Sequence, residues 1–248
     1  MIVIDEKRFI ESVRRATDYE RNNGKVGTLS EKLVHRTLKY YFEPNEENHE
    51  IKVCGSIVDV KNEHGITEIQ TRFFERLSSK LEKMLPEYPV NVIYPVIVEK
   101  NVHWTDPESG ETSVRKSSKK GRITDVLPEL YHIKEFLSCD GFMLTVVLIS
   151  ADEYRVLDGY GKDKKKRATK VNIIPTELVD LLSFSNLAEL KTYLLNVLPD
   201  NFTAKQINLA FHLRPRQLSL ALKLLINLGV IIQIGKSGNA FVYSLLRE

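Results

Sequence analysis

Two short alternating runs carry the acids best placed to do chemistry. Ile57-Val58-Asp59-Val60-Lys61 and Ile66-Thr67-Glu68-Ile69-Gln70-Thr71 flank Asn62-Glu63-His64-Gly65, which reads as a tight hairpin turn. With a two-residue loop at Glu63-His64, Asn62 pairs with Gly65, Lys61 with Ile66, Val60 with Thr67 and Asp59 with Glu68. Directly paired residues share a face of the sheet. Asp59 and Glu68 then stand side by side with Gln70 two residues along, while Val58, Val60 and Ile69 point into the core. A slip of two residues sets Asp59 against Gln70 on the same face, and a loop with an odd number of residues separates the acids. Two neighbouring carboxylates repel unless a cation lies between them. A hard cation such as Mg²⁺, or Mn²⁺ in its place, takes oxygen ligands of this kind. It can bind a phosphodiester oxygen and supply an activated water. An ordinary exposed sheet face with alternating polar residues accounts for the same pattern.

The elements around this hairpin alternate in type. Phe9, Ile10, Val13 and Ala16 recur at helical spacing over 6–20, and Gly24 and Gly27 break the pattern. A second helix starting near Thr28 carries Leu29, Leu33, Val34, Leu38 and Tyr41 inward and ends at Pro44. Ile51–Val53 reads as a strand ahead of the hairpin, and a helix over about Phe73–Leu85 follows it. Arg72 and Arg76 open that helix, where they are candidate phosphate contacts; a solvated helix face accounts for them equally. Val90–Val98 is nearly all apolar, a strand covered on both faces. The polar stretch 99–122 reads as an insertion or long hairpin outside the core. Asp125–Leu137 reads as helical and Phe142–Ser150 as another buried strand.

Asp59, a short hairpin and Glu68-Ile69-Gln70, preceded by a helix bearing Glu31, resemble the PD-(D/E)xK nuclease superfamily. The resemblance covers roughly residues 10–100, with 123–158 able to complete the sheet. It implies an α/β fold of restriction-endonuclease-like type, a mixed sheet flanked by helices. It also implies metal-dependent hydrolysis of DNA, duplex or branched. By position, Asp59 and Glu68 would ligate Mg²⁺, and Glu31 would approach the same metal. Gln70 stands where the superfamily's typical lysine orients or activates water. Glutamine carries no positive charge, so activation would fall to the metal and the substrate phosphate, with Lys61 on the same face as another cation. Some active members resemble this chain in having Gln or Glu there. Many nucleases of this class cut duplexes as dimers, which makes a homodimer an expected assembly. Glu31 has a second reading. Thr28 with Glu31 three residues on forms a capping box.

The last third changes character. Leu187–Leu198 is an amphipathic helix broken by Pro199-Asp200-Asn201. Thr203 and Gln206 form a capping box that opens a short helix to about Leu213. After Arg214-Pro215-Arg216, a third helix spans Gln217–Leu228 and ends at Gly229. Val230–Ile234 and Ala240–Leu245 are strands joined by a glycine-bounded loop. This is the winged helix-turn-helix order. If such a module binds DNA, Arg214, Arg216, Gln217 and Ser219 read base edges, Lys223 lies further along the helix, and Lys236 tips the wing at a phosphate. Leu218, Leu220, Leu222, Leu224, Leu225 and Leu228 are too many for one face, so part of the helix packs on another surface. Winged helices also serve as protein contacts.

The chain has 248 residues, 42% hydrophobic and 28% charged. These values exclude wholesale disorder and a fibrous protein. The organisation expected is a nuclease-like domain over 1–160, a basic linker at 161–170 and the winged-helix domain over 171–248. The formal charge is only +3, but its distribution is uneven. Arg115, Lys116, Lys119, Lys120 and Arg122 form one basic segment, of which Lys116, Lys119, Lys120 and Arg122 are candidate DNA contacts. Lys162, Lys164, Lys165, Lys166, Arg167 and Lys170 surround a single Asp163. Such segments suit a phosphate backbone, and solvated loops explain either one. No apolar stretch is long enough to cross a bilayer, and the N-terminus does not read as a signal peptide. Cys54 and Cys139 match no ligand or redox spacing and read as reduced thiols of a cytoplasmic protein. The six histidines form no zinc spacing, and no glycine-rich phosphate loop occurs. The expectation is a Mg²⁺-dependent deoxyribonuclease docked by a winged helix. Its rival is a catalytically inactive nuclease-like DNA-binding regulator or scaffold.

Overall fold

The structure, a computed structural model, describes residues 4–22, 30–159 and 168–246, with side chains throughout except at 30–32. The fold is mixed α/β. Helices α1 (Glu6–Asn22) and α2 (Ser30–Phe42) precede strands β1 (His49–Val53), β2 (Ser56–Asn62) and β3 (Gly65–Ile69). A 3₁₀ turn at Phe74–Arg76 and helix α3 (Ser78–Met84) lead to β4 (Val90–Thr105), which folds back as β5 (Thr112–Lys116). Helix α4 (Leu127–Leu130) sits between 3₁₀ segments at Ile123–Val126 and Tyr131–Phe136, before β6 (Phe142–Val156) and β7 (Thr169–Phe184). These strands form one seven-stranded sheet in the order β1-β2-β3-β4-β6-β7, with β5 paired to β4.

Helices α1 and α2 cover this sheet. Phe9 from α1 and Val34, Leu38 and Tyr41 from α2 pack with Ile69, Ile93, Val147, Ile149 and Ile173 of the strands. The adjoining side of α2 is buried too: Leu33 and Tyr40 pack with Ala16 of α1. Val34, Leu38 and Tyr41 at i, i+4 and i+7, with Leu33, Thr37 and Tyr40 buried beside them, confine the less buried polar positions of α2 to the remaining side.

Several elements differ from the sequence expectation. The helix expected over 73–85 starts later and in two pieces: Phe73 is left-handed (φ 61°, ψ 52°), Phe74–Arg76 is a 3₁₀ turn, and α3 begins at Ser78. The segment 99–122 is a hairpin but not wholly outside the core. Strand β4 continues to Thr105, and Val102 and Trp104 are buried together with Ala168. The boundary expected at 161–170 is displaced. Thr169–Phe184 is a strand of the large sheet, placed on its edge. Pro175 lies within it, and an edge strand tolerates a missing N–H donor. Residues 160–167, which hold most of the basic linker, lie outside the described residues.

The chain divides into two compact units. One comprises Met1–Thr71, Ile93–Gly121 and Thr145–Leu182. The other comprises Arg72–Val92, Arg122–Leu144 and Ser183–Glu248. In the second unit, α5 (Leu187–Val197), β8 (Asn201–Thr203), α6 (Ala204–Phe211), α7 (Pro215–Asn227), β9 (Ile231–Ser237) and β10 (Ala240–Leu245) follow in order. Their three strands form a separate sheet, β8-β10-β9. The expected capping box is present: Gln206 N–H donates to Thr203 Oγ1, and Thr203 N–H to Gln206 Oε1 at 2.8 Å. Gly229 follows α7 at φ 66°, as a C-terminal cap requires. Helix α7 buries Ala221, Leu222, Leu224 and Leu225. It packs on α4 as well as on α6 and β9, which accounts for its doubled apolar face.

Candidate functional site

The β2–β3 hairpin has the register that a two-residue loop demands. Asn62 pairs with Gly65, Lys61 with Ile66 and Val60 with Thr67. Val58, Val60 and Ile69 are buried, and so are Ile66 and Glu68 on the other face of β3, so this strand is covered on both sides. Beyond Val60–Thr67, Asp59 reaches across to β3, where its Oδ2 accepts the Ile69 N–H at 2.8 Å. The same oxygen lies 3.1 Å from His35 Nε2. The Asp59 side chain is 17% exposed, and Glu68 is 3% exposed. Gln70 is half-buried, and its backbone N–H donates to Ile93 O of β4 at 2.9 Å.

Helix α2 supplies the other half. Its polar stripe runs through His35 and Lys39, one turn apart. Lys39 pairs with Glu50 of β1, as His35 does with Asp59 of β2. Burial opposes ionisation of Asp59. The hydrogen bond and charge of His35, the Ile69 N–H and the charge of Lys39 outweigh it and hold the carboxyl below its ordinary value. Asp59 is therefore an anion tied to a helix, its own strand and the next strand.

This geometry bears on the expected metal centre. Among the described residues no group of three or more His, Cys, Asp or Glu is arranged to hold a metal ion. Asp59 Oδ2 already accepts two hydrogen bonds. Glu31 lies in the first turn of α2, four residues before His35, and both its side chain and Thr28 lie outside the described residues. Of the three acids expected to hold the metal, the described side chains are therefore Asp59 and Glu68. Sequence reasoning passed over His35. The signal that could have found it is an i, i+4 polar stripe, Glu31-His35-Lys39, on a helix otherwise apolar on two faces.

The basic residues fall into two sets. Arg214, Arg216, Gln217, Ser219 and Lys223 are exposed on α7, and Lys236 is exposed on β9 over the Phe241 ring. Gln217 also closes the helix start, accepting the Arg214 N–H at 3.3 Å. In the other set, Lys116 and Lys120 both pair with Glu99 (2.9 and 3.6 Å), and Lys119 is exposed. Arg122 is turned to a structural use. Its guanidinium donates to Ala210 O near the end of α6, and its N–H to Asp125 Oδ2.

Residues 32–185 match the model of a domain of unknown function, DUF8091, and the chain belongs to that family. The match runs from α2 to the residue after β7. It thus covers the large sheet, including β7, and stops before α5. The chain is also similar to an uncharacterized protein of Treponema pallidum (strain Nichols), 33% identical over 181 residues that make up 71% of each chain. No solved structure matches. No helix among the described residues is long and apolar enough to cross a membrane.

Proposed function

We propose that this protein binds DNA through its C-terminal module, a winged helix, and that the large-sheet domain is nuclease-like in form. The observation that carries this reading is the exposed basic start of α7 in a helix–strand–helix–helix–hairpin module. Its three strands have the order β8-β10-β9, the order a winged helix requires. Arg214, Arg216, Ser219 and Lys223 present three cations and a hydroxyl to solvent where a recognition helix meets the major groove. The reading includes a cytoplasmic location, in keeping with two free cysteines. The test is fluorescence anisotropy with a labelled duplex over a salt series. Arg216→Glu with Lys223→Glu is expected to weaken binding about tenfold and to make the salt slope shallower by about two. The melting temperature should stay unchanged. Duplex affinity equal to that of the parent would sink the reading.

A second reading is Mg²⁺- or Mn²⁺-dependent phosphodiester hydrolysis, by a monomer or a homodimer. One observation favours it. The hairpin pairs from Asn62–Gly65 to Val60–Thr67, and the same register carried one residue further would bring Asp59 opposite Glu68, on a sheet ordered β1-β2-β3-β4 with α3 between β3 and β4 in sequence. A metal there would have Asp59, Glu68 and Glu31 as its acids, and Asp59 would have to exchange His35 for the ion. Incubation with plasmid or branched DNA and either metal tests it. Cleavage that Asp59→Ala and Glu68→Ala abolish supports hydrolysis. Absence of cleavage leaves a DNA-binding regulator or scaffold.

A further inference from the structure

The geometry of Arg72–Arg76 points to a second nucleic-acid contact, and we infer that Phe73 is a stacking platform for an unpaired base. The inference rests on the DNA-binding reading and adds a substrate feature to it. Phe73 sits three residues after Gln70, in a left-handed backbone conformation (φ 61°, ψ 52°). For a bulky residue that region is an outlier held only when its surroundings demand it. Here they do. Phe74 is fully buried and its N–H donates to Glu129 Oε2 at 3.1 Å, while Arg76 N–H donates to Phe73 O at 2.9 Å. The chain on the far side of Phe73 is thus pinned, and the strain cannot relax.

Glycine would take this conformation without steric cost. The three other non-glycine residues with positive φ among the described residues have evident local roles: Cys54 turns the β1–β2 connection, His212 closes α6, and Glu50 pairs with Lys39. Phe73, turned by the burial of Phe74, presents its phenyl ring outward, 46% exposed. Arg76 and Arg72 lie over that ring, their guanidinium carbons 4.8 and 5.9 Å from its centroid. Against Glu75 they leave the segment at +1. An aromatic face flanked by guanidinium groups is how proteins hold single strands. A base, which must be unpaired to offer its face, would displace the guanidinium from one face of the ring and stack there, and the displaced cation would meet a flanking phosphate. DNA and RNA single strands share this chemistry.

The experiment compares the full chain with Phe73→Gly, Phe73→Trp and Arg76→Ala, using labelled dT20, rU20 and a 20-bp duplex. Phe73→Gly is expected to weaken binding of dT20, rU20 or both about tenfold. Its duplex affinity should stay within about twofold and its melting temperature at or above the parent's, because the strained ring is gone. Phe73→Trp should restore single-strand affinity, and Arg76→Ala should lower it by several-fold. The dT20 and rU20 arms show which strand the platform takes. Unchanged single-strand affinity in Phe73→Gly overturns the inference, as does equal loss on duplex and single strand, or a lowered melting temperature. Failure of the α7 reading shows separately, as duplex binding that Arg216→Glu with Lys223→Glu leaves intact.

Discussion

At the scale of single residues, Asp59 is the most constrained side chain of the hairpin. It serves α2 through His35 and β3 through the Ile69 N–H. Its carboxyl is held below the ordinary value of 3.8. A group whose folded value is depressed contributes stability that is fully present above the unfolded value and lost as the pH falls through the folded one. Denaturant midpoints of the parent should therefore drop more steeply than those of Asp59→Asn as the pH is taken below 3.8. Parallel curves would refute this. At neutral pH, His35→Ala removes a hydrogen bond to a largely buried anion and should cost about 1.5 kcal/mol in urea unfolding. His35→Gln should recover part of that, and a His35→Ala protein as stable as the parent would show the contact to be idle.

At the scale of elements, the ends of β4 and β6 carry a buried polar network. Glu153 is 1% exposed and receives both Lys100 and Arg155, whose guanidinium lies over Trp104. Burial opposes its ionisation, but the two cations hold its carboxyl below the ordinary value. Removing one partner of such a set leaves charge uncompensated, so Lys100→Met should destabilise by about 2 kcal/mol. Thermal melts check it, and an unaltered melt would contradict it. Gly121 poses a simpler steric case. A Cβ there would lie 2.6 Å from Ile97 O of β4, too close for any side chain. Gly121→Ala should cost about 2 kcal/mol as the strand shifts. The capping box of α6 gives a milder effect. Thr203→Ala should lose about 1 kcal/mol and Thr203→Ser almost nothing, both read from urea midpoints.

At the scale of the whole molecule, the second unit is assembled from three separated stretches of chain. Leu127 and Leu130 of α4 are buried in a region where α7 packs. Ending the chain after Ser185, at the family boundary, would keep every strand of the large sheet yet strip α7 from α4. That truncated protein should bind a dye specific for exposed apolar surface and melt well below the full chain. Equal melting and no dye binding would show that the α4 contact contributes nothing. Cutting at 160 should do worse, because it also removes β7 and the buried Ile173, Leu178 and Leu181.

Local rules were enough for much of this protein. The Asn62–Gly65 turn dictated the hairpin register because a side-chain period of two admits few alternatives. The Thr203–Gln206 box and Gly229 marked helix ends because caps act over three or four residues. The long-range outcomes were not legible. Leu178, Leu181 and Phe184 are spaced by three, nearer to a helix than to a strand, and only sheet pairing made that segment β7. Nothing local told Phe73 to turn left-handed; the buried Phe74 and Glu129, 55 residues distant, did. Nor did spacing reveal that Asp59 would face His35, since α2 and β2 meet only once both apolar faces of the helix are covered. Turns and caps are settled by neighbours in the chain, whereas the partner of a half-buried charge is settled by which surfaces the core brings together.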